Sequence, residues 1–317
     1  NIDRINYNDP AVLASIGSGR CDGVFQLESG GMQSFMKELR PQSLEDIIAG
    51  ISLYRPGPMD FIPKYIQGKN DAAAITYQTP ELEPILKPTY GCIVYQEQVM
   101  EICRALAGYS YGRADLVRRM MAKKKHAQMD AEREVFLHGN ESCCGAVANG
   151  VPEKTANLIF DKMATFASYA FNKSHAAAYA RVAYETAYLK CRYPAKYYAS
   201  LMSSVISYTP KLLEYIALAE AHGIAVLKPD INSSNEDFTV TPEGIRFGLL
   251  AIKGVGTNAV RAYLHERAQG GSDRSLQNFC ERNSGTELNE RCVEGLIRAG
   301  AMDGLGWNRH QMRNMTK

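Results

Sequence analysis

No apolar run in this chain is long enough to cross a bilayer. The longest stretch free of charged residues, Tyr197 to Pro210, falls short of the roughly 18 to 20 apolar residues a span needs and is broken by hydroxyls. No CxxC pair occurs among the eight cysteines, so the zinc-ribbon spacing is absent, and a chain of 317 residues does not need disulfides to fold. That cysteine usage suits a reducing cytoplasm. There is no GxxxxGK[ST] phosphate loop, which counts against an ATPase. There is also no Asp-x-Asp, the spacing that commonly holds paired Mg²⁺ ions for phosphoryl transfer. Glu81 and Glu83 have that spacing but follow Thr79-Pro80, where first-turn helix acids are the simpler account. His138, Cys143 and Cys144 offer no fourth ligand at a recognised spacing, and no metal is assigned to them. The chain has neither an initial Met nor an apolar signal core, so it is expected to begin inside a longer protein.

The net charge of +2 is too small for a general nucleic-acid coat, so anion binding has to come from where the charge sits. Arg113 to Arg133 holds seven Arg or Lys against three acids, a local excess twice the net charge of the whole chain. Five of those cations fall in Arg118-Arg119-Met120-Met121-Ala122-Lys123-Lys124-Lys125. A solvated helix face usually alternates signs, whereas like charges this dense repel one another without an anionic partner.

A second feature fits the same ligand. Phe171-Asn172-Lys173-Ser174-His175 runs into Ala176-Ala177-Ala178-Tyr179, a strong helix former, so Lys173, Ser174 and His175 are expected around a helix N-terminus. Free N–H groups and the positive end of the helix dipole favour a phosphate there. His175 and Tyr179, four residues apart, share one helix face on which a sugar or base could lie, although a packed core pair has the same spacing. Tyr184 and Tyr188 continue the step and read as core. Tyr54-Arg55-Pro56-Gly57-Pro58 is a rigid turn carrying one cation, open to a structural or a binding role.

Helical periodicity dominates the rest. Val99, Ile102, Cys103 and Leu106 share one face of a helix over 98–107, as do Ile159, Phe160, Met163 and Phe166 over 153–166. The run Gly91 to Tyr95 reads either as a strand or as an extended approach to the next helix. The Gly-, Asn- and Cys-rich segment 137–150 is expected to be an exposed, mobile loop. Alternating runs flank Thr241-Pro242-Glu243-Gly244 and predict a small hairpin near 235–250. The fold class is therefore mainly α with a few short strands. A boundary near 245 separates 1–244 from 245–317.

In the second part, Lys253-Gly254-Val255-Gly256, followed by Val260 and Tyr263 at helical spacing, matches the helix-hairpin-helix pattern. Glycine there lets backbone N–H groups approach a DNA phosphate without reading sequence. Leu296 to Met302 looks like its partner hairpin.

Taken in order, Gly23-Val24-Phe25-Gln26-Leu27-Glu28-Ser29, Leu53-Tyr54-Arg55-Pro56-Gly57-Pro58, Tyr95-Gln96-Glu97-Gln98-Val99-Met100, Arg118-Arg119 with Lys123-Lys124-Lys125, Phe171 to His175 and Ile252 to Gly256 resemble the C-family replicative DNA polymerases of bacteria, the alpha subunits of DNA polymerase III. The resemblance runs essentially end to end. It implies a fingers domain and an adjoining tandem helix-hairpin-helix. The family's Mg²⁺-binding aspartates would lie in a palm upstream of Asn1, so the chain alone is expected to be inactive and to bind no metal itself. By resemblance Arg118, Arg119 and Lys123 would neutralise the triphosphate of an incoming dNTP, while Asn172, Lys173, Ser174, His175, Tyr179 and Arg55 would help to place it. Lys253, Gly254, Val255 and Gly256 would hold the template-primer duplex. Sliding clamp and clamp loader would be engaged through parts outside this chain. Two rival readings stand beside this one: a non-catalytic hairpin module of a repair or recombination protein, and a scaffold whose basic helix binds an acidic partner.

Overall fold

The computed structural model describes residues 1–122, 126–167, 169–285 and 287–315. Among them are sixteen α-helices and one three-stranded sheet, which is the mainly α class expected. The chain forms two compact units, Asn1–Tyr188 and Leu189–Lys317.

In the first unit α1 (Pro10–Gly17), α2 (Gly30–Leu39) and α3 (Leu44–Leu53) each start at a short polar residue whose side chain accepts a first-turn N–H: Asp9, Ser29 and Ser43. α4 (Ile62–Asn70) and the single turn α5 (Glu83–Leu86) lead to α6 (Gln96–Ala107), α7 (Tyr111–Ala122), α8 (His126–His138) and α9 (Glu153–Ala167), and α10 (Lys173–Arg192) carries the chain out of the unit. The four-residue face anticipated on α6 is wholly buried, against Val117 and Met121 of α7, Phe136 of α8 and Phe160 and Met163 of α9. Cutting a side chain such as Phe160 back to Ala in this core would cost about 3–5 kcal/mol.

Two local arrangements hold the starts of α6 and α10 and the end of α8 in place. Residues 91–95 are extended: the Phe171 N–H donates to Val94 O at 3.1 Å and the Gln96 N–H donates to Phe171 O at 3.0 Å, one parallel bridge joining the starts of α6 and α10. Buried Gln98 locks the turn, accepting from the Val94 and Tyr95 N–H groups at 2.8 and 3.0 Å and donating to Thr89 Oγ1 at 2.8 Å. The 137–150 segment is the largely exposed connection between α8 and α9 that was expected, but part of it is packed down on the unit. Its Gly145, Ala146 and Val147 N–H groups donate to Ala107, Phe136 and Leu137 carbonyls, the Asn149 amide donates to Leu106 O at 2.7 Å, and Ala146 is fully buried. Gly145 makes this packing possible. Its φ is +80°, and an added Cβ would lie 2.3 Å from Gly139 N.

In the second unit α11 (Pro194–Ser204) and α12 (Thr209–Ala221) pack on the sheet, whose strands are β1 (Val226–Leu227), β2 (Thr239–Thr241) and β3 (Gly244–Arg246) in the order β1-β3-β2. The anticipated hairpin joins β2 to β3, with Val240 opposite Ile245. β1 adds in parallel to β3. A boundary after 244 would therefore cut β3 itself, which is bonded on both sides, and the compact units divide instead after Tyr188. α13 (Thr257–Gly270), α14 (Leu276–Arg282), α15 (Glu290–Ala299) and α16 (Arg309–Met315) complete the unit. One core gathers Ile252, Val255, Val260 and Tyr263 with Leu296, Ile297, Ala301 and Met302, so the two glycine hairpins are packed as a pair. Among the described residues no helix is long and apolar enough to cross a membrane.

Candidate functional site

Asp115 lies one turn before Arg118 and Arg119 on α7, and it divides its carboxylate between them. Arg118 Nε and Nη2 donate to Oδ1 at 3.0 and 2.7 Å, and Arg119 Nη2 lies 2.7 Å from Oδ2. The Arg118 guanidinium, with Arg119 beside it, holds the Asp115 carboxyl below the usual carboxylate range. Arg118 Nη1 donates to Gln96 Oε1 at 2.9 Å, so this arginine is fixed and largely covered. Arg119 is not: 63% of its side chain is exposed. The like-charge run thus carries its own counterion, and the trio keeps one net positive charge. Lys123 falls outside the described residues.

At the start of α10, Asn172 Oδ1 accepts the His175 N–H at 2.8 Å, an N-cap. Glu97, from the first turn of α6, accepts the Lys173 N–H through both oxygens at 3.2 and 3.1 Å and the Asn172 amide at 3.2 Å. The helix start was anticipated as an open anion site, and it already holds an anion. An acid 76 residues earlier supplies it because the bridge between Tyr95 and Phe171 sets the two helix starts side by side. The Lys173 ammonium pairs with Glu45 at 3.0 Å and lies over the Tyr95 ring. Ser174 is exposed. The His175 ring rests on Tyr179 at 4.4 Å and on Phe171 at 5.4 Å, and Tyr179 meets Phe25 at 5.4 Å, which leaves a ladder of aromatic faces along α10.

A cleft of about 300 Å³ joins the two regions, with Gln96, Glu97, Asp115, Arg118 and Asn172 among its walls. Arg118 and the α10 start therefore face shared space. Arg119 lines a different hollow, with Arg113 and Glu132. Arg55 lines neither hollow but lies beside the α10 start. Its Nη2 donates to Tyr169 O at 2.6 Å, its Nε donates to Ser52 O at 3.2 Å, and its guanidinium covers Phe171 at 4.3 Å, where burial lowers its pKa. In this state it braces the approach to α10. Sequence reading assigned no role to Gln96, Glu97 or Asp115, although Asp115 stands at the i+3 and i+4 spacing from the two arginines.

In the second unit Lys253 is exposed, Gly254 has φ +90°, Val255 is buried, and Gly256 caps α13 without a side chain. The first N–H groups of α13 thus have no side-chain cap from Gly256. Lys228, Arg291 and Arg298 join Lys253 around an open pocket of about 690 Å³. Arg298 is spent on Glu294 at 2.8 Å and Lys228 faces Asp303 at 3.7 Å. Among the described ion pairs Lys253 and Arg291 have no carboxylate partner, and Arg291 is a cation that the motif alone did not single out.

Residues 1–143 match the family described as "Bacterial DNA polymerase III alpha subunit finger domain", and residues 223–312 match a helix-hairpin-helix motif family. The chain is 48% identical over 309 residues to the DNA polymerase III subunit alpha of Thermus aquaticus, covering 96% of this chain and 25% of that protein. It is 44% identical over 306 residues to that of Halalkalibacterium halodurans (96% and 27%) and 43% identical over 312 residues to that of Caulobacter vibrioides (98% and 27%). The chain spans about a quarter of the length of these relatives. It belongs to the family of bacterial DNA polymerase III alpha subunits, as a segment that carries a finger domain and a helix-hairpin-helix.

Proposed function

We propose that the first unit grips the triphosphate of an incoming dNTP during template-directed DNA synthesis, and that the hairpin pair of the second unit holds the template-primer duplex. The observation that carries the reading is the cleft shared by Arg118 and Asn172, with Arg119 exposed beside it. A triphosphate bears more negative charge than Asp115 and Glu97 each offer, and arginine grips phosphate bidentately. The nucleotide would take over the guanidinium donors now on Asp115 and compete with Glu97 for the α10 N–H groups. The ladder of His175 and Tyr179 would receive its sugar or base by stacking. At the hairpin, Lys253 and the first N–H groups of α13 would meet duplex phosphates, with Gly254 and Gly256 allowing close approach.

Among the described residues no three His, Cys, Asp or Glu side chains gather as a metal site. The Mg²⁺ of the intact polymerase would be held by residues beyond this chain. Activity would then require the rest of the subunit, in the cytoplasm, with sliding clamp and clamp loader engaged through other parts. A non-catalytic repair module would use the hairpins and leave the first unit's cleft without a task. The deciding experiment joins this chain to the upstream half of a relative's alpha subunit and measures Mg²⁺-dependent primer extension. Extension by the joined protein and none by the chain alone is expected. Failure of the correctly folded joined protein to extend a primer would remove the reading.

A further inference from the structure

The first unit contains a further cavity, of about 260 Å³, remote in composition from the cleft already described. Its walls are aromatic and aliphatic: Phe61 and Phe166, whose rings meet at 3.9 Å, with Leu82, Ile93, Ile102 and Ile159. All but the two rings are buried side chains of the core. Only a few polar groups reach the cavity, and they are unequal in sign. Lys64 of α4 and Lys162 of α9 both line it, and burial first, then the nearby Lys64 ammonium, disfavours the charge on Lys162. Asp161 also lines it but is paired with Arg133 at 2.5 Å, so it neutralises neither lysine. Among the described ion pairs no carboxylate meets Lys64 or Lys162.

Lys162 is partly buried against apolar walls, with the exposed Lys64 ammonium also on the lining and no ion-pair partner described for either, and a ligand that brings an anion and an apolar body suits that lining. We infer that this cavity binds a small amphipathic monoanion: an aryl or short-chain carboxylic acid whose ring or chain lies between Phe61, Phe166 and Ile159 while its carboxylate reaches Lys64 and Lys162. The volume suits a single ring with a short arm and is too small for a helix or a peptide of several residues. Burial keeps the Cys92 thiol of the cavity wall protonated, so the pocket presents no competing anion of its own.

The test uses the 317-residue chain and 3-phenylpropionate as the probe, with 3-phenylpropanol and 3-phenylpropylammonium as matched controls, read by ligand-observed NMR and calorimetry. The carboxylate should bind saturably, in about the millimolar range for so small a molecule. It should bind about tenfold tighter than the alcohol and far tighter than the ammonium. The double variant Lys64→Gln, Lys162→Gln should abolish that preference while leaving the alcohol's affinity unchanged. Thr165→Trp, at the cavity wall, should block all three. Should the variants fold poorly, the unaltered chain still decides the matter: excess 3-phenylpropionate should displace bound 3-phenylpropanol in ligand-observed NMR, and 3-phenylpropylammonium should not. Equal affinity for acid and ammonium, no displacement of the alcohol by the acid, or binding of an acidic peptide but not of the free acid would each overturn the assignment.

Discussion

The carboxylate of Glu97 receives the Lys173 backbone N–H through both oxygens, at 3.2 and 3.1 Å, so the start of α10 is closed by an acid from the start of α6. A triphosphate arriving at this helix start, as proposed, would meet a resident competitor. Glu97→Gln should therefore lower the apparent KM for dNTP in the intact subunit, while the lost charge at a helix N-terminus costs about 1 kcal/mol of stability. Steady-state titration and urea unfolding check the two halves. A KM that is unchanged or raised in a folded variant would place the phosphates away from α10.

Asp115 gives the pH dependence its sign. Its pKa is held low in the folded chain, chiefly by its bond to Arg118, so its contribution is present at neutral pH and is lost as pH falls below the ordinary carboxylate value of 3.8 toward the depressed one. Asp115→Asn should be less stable than the unaltered chain at pH 7, with the gap closing on acidification. Thermal unfolding between pH 7 and pH 3 reads it out, and a gap that widened toward acid would contradict the pairing.

Lys253 is exposed and lacks a carboxylate partner among the described ion pairs, as a phosphate contact should be. Lys253→Ala should weaken duplex binding alike for unrelated sequences and reduce the slope of log K against log salt by about 0.9. A steeper loss on one sequence than another, or an unaltered slope, would take Lys253 off the phosphate surface.

Gly254 holds φ +90°, a conformation that L side chains rarely adopt, and Arg291 comes no nearer than 3.8 Å to an added Cβ. The cost of Gly254→Ala is thus backbone strain rather than a clash, about 1–2 kcal/mol. Gly256, with an ordinary φ of −93° and open space around it, should accept Ala with little loss of stability. Chemical denaturation of the two variants side by side checks the contrast.

Period and punctuation made the helices legible. Val99, Ile102, Cys103 and Leu106 are spaced as one face and are buried as one face, and Thr241 to Gly244 turns where its residues say it should. What was hidden lay far apart along the chain. Nothing near Lys173 announces Glu97, because only the bridge between Tyr95 and Phe171 brings them together. The packed course of 137–150 depends on carbonyls of 106, 107, 136 and 137, which a reading of local composition cannot supply. The parallel pairing of two-residue β1 to β3 is too short to leave a periodic signal, so the boundary after 244 was drawn through a bonded strand. Asp115 stands at the right spacing from both arginines, a signal that the charge count alone does not use.

The claim on which the account turns is that Arg118 and Arg119 grip a triphosphate. Single-turnover incorporation measured across dNTP concentrations, in the intact subunit carrying Arg119→Ala and separately Arg118→Ala, tests it most directly. The account predicts an apparent dNTP Kd raised about tenfold or more, equivalent to about 1.4 kcal/mol, with primer-template affinity unchanged. An unaltered dNTP dependence in folded variants, or a loss confined to DNA binding, would contradict it.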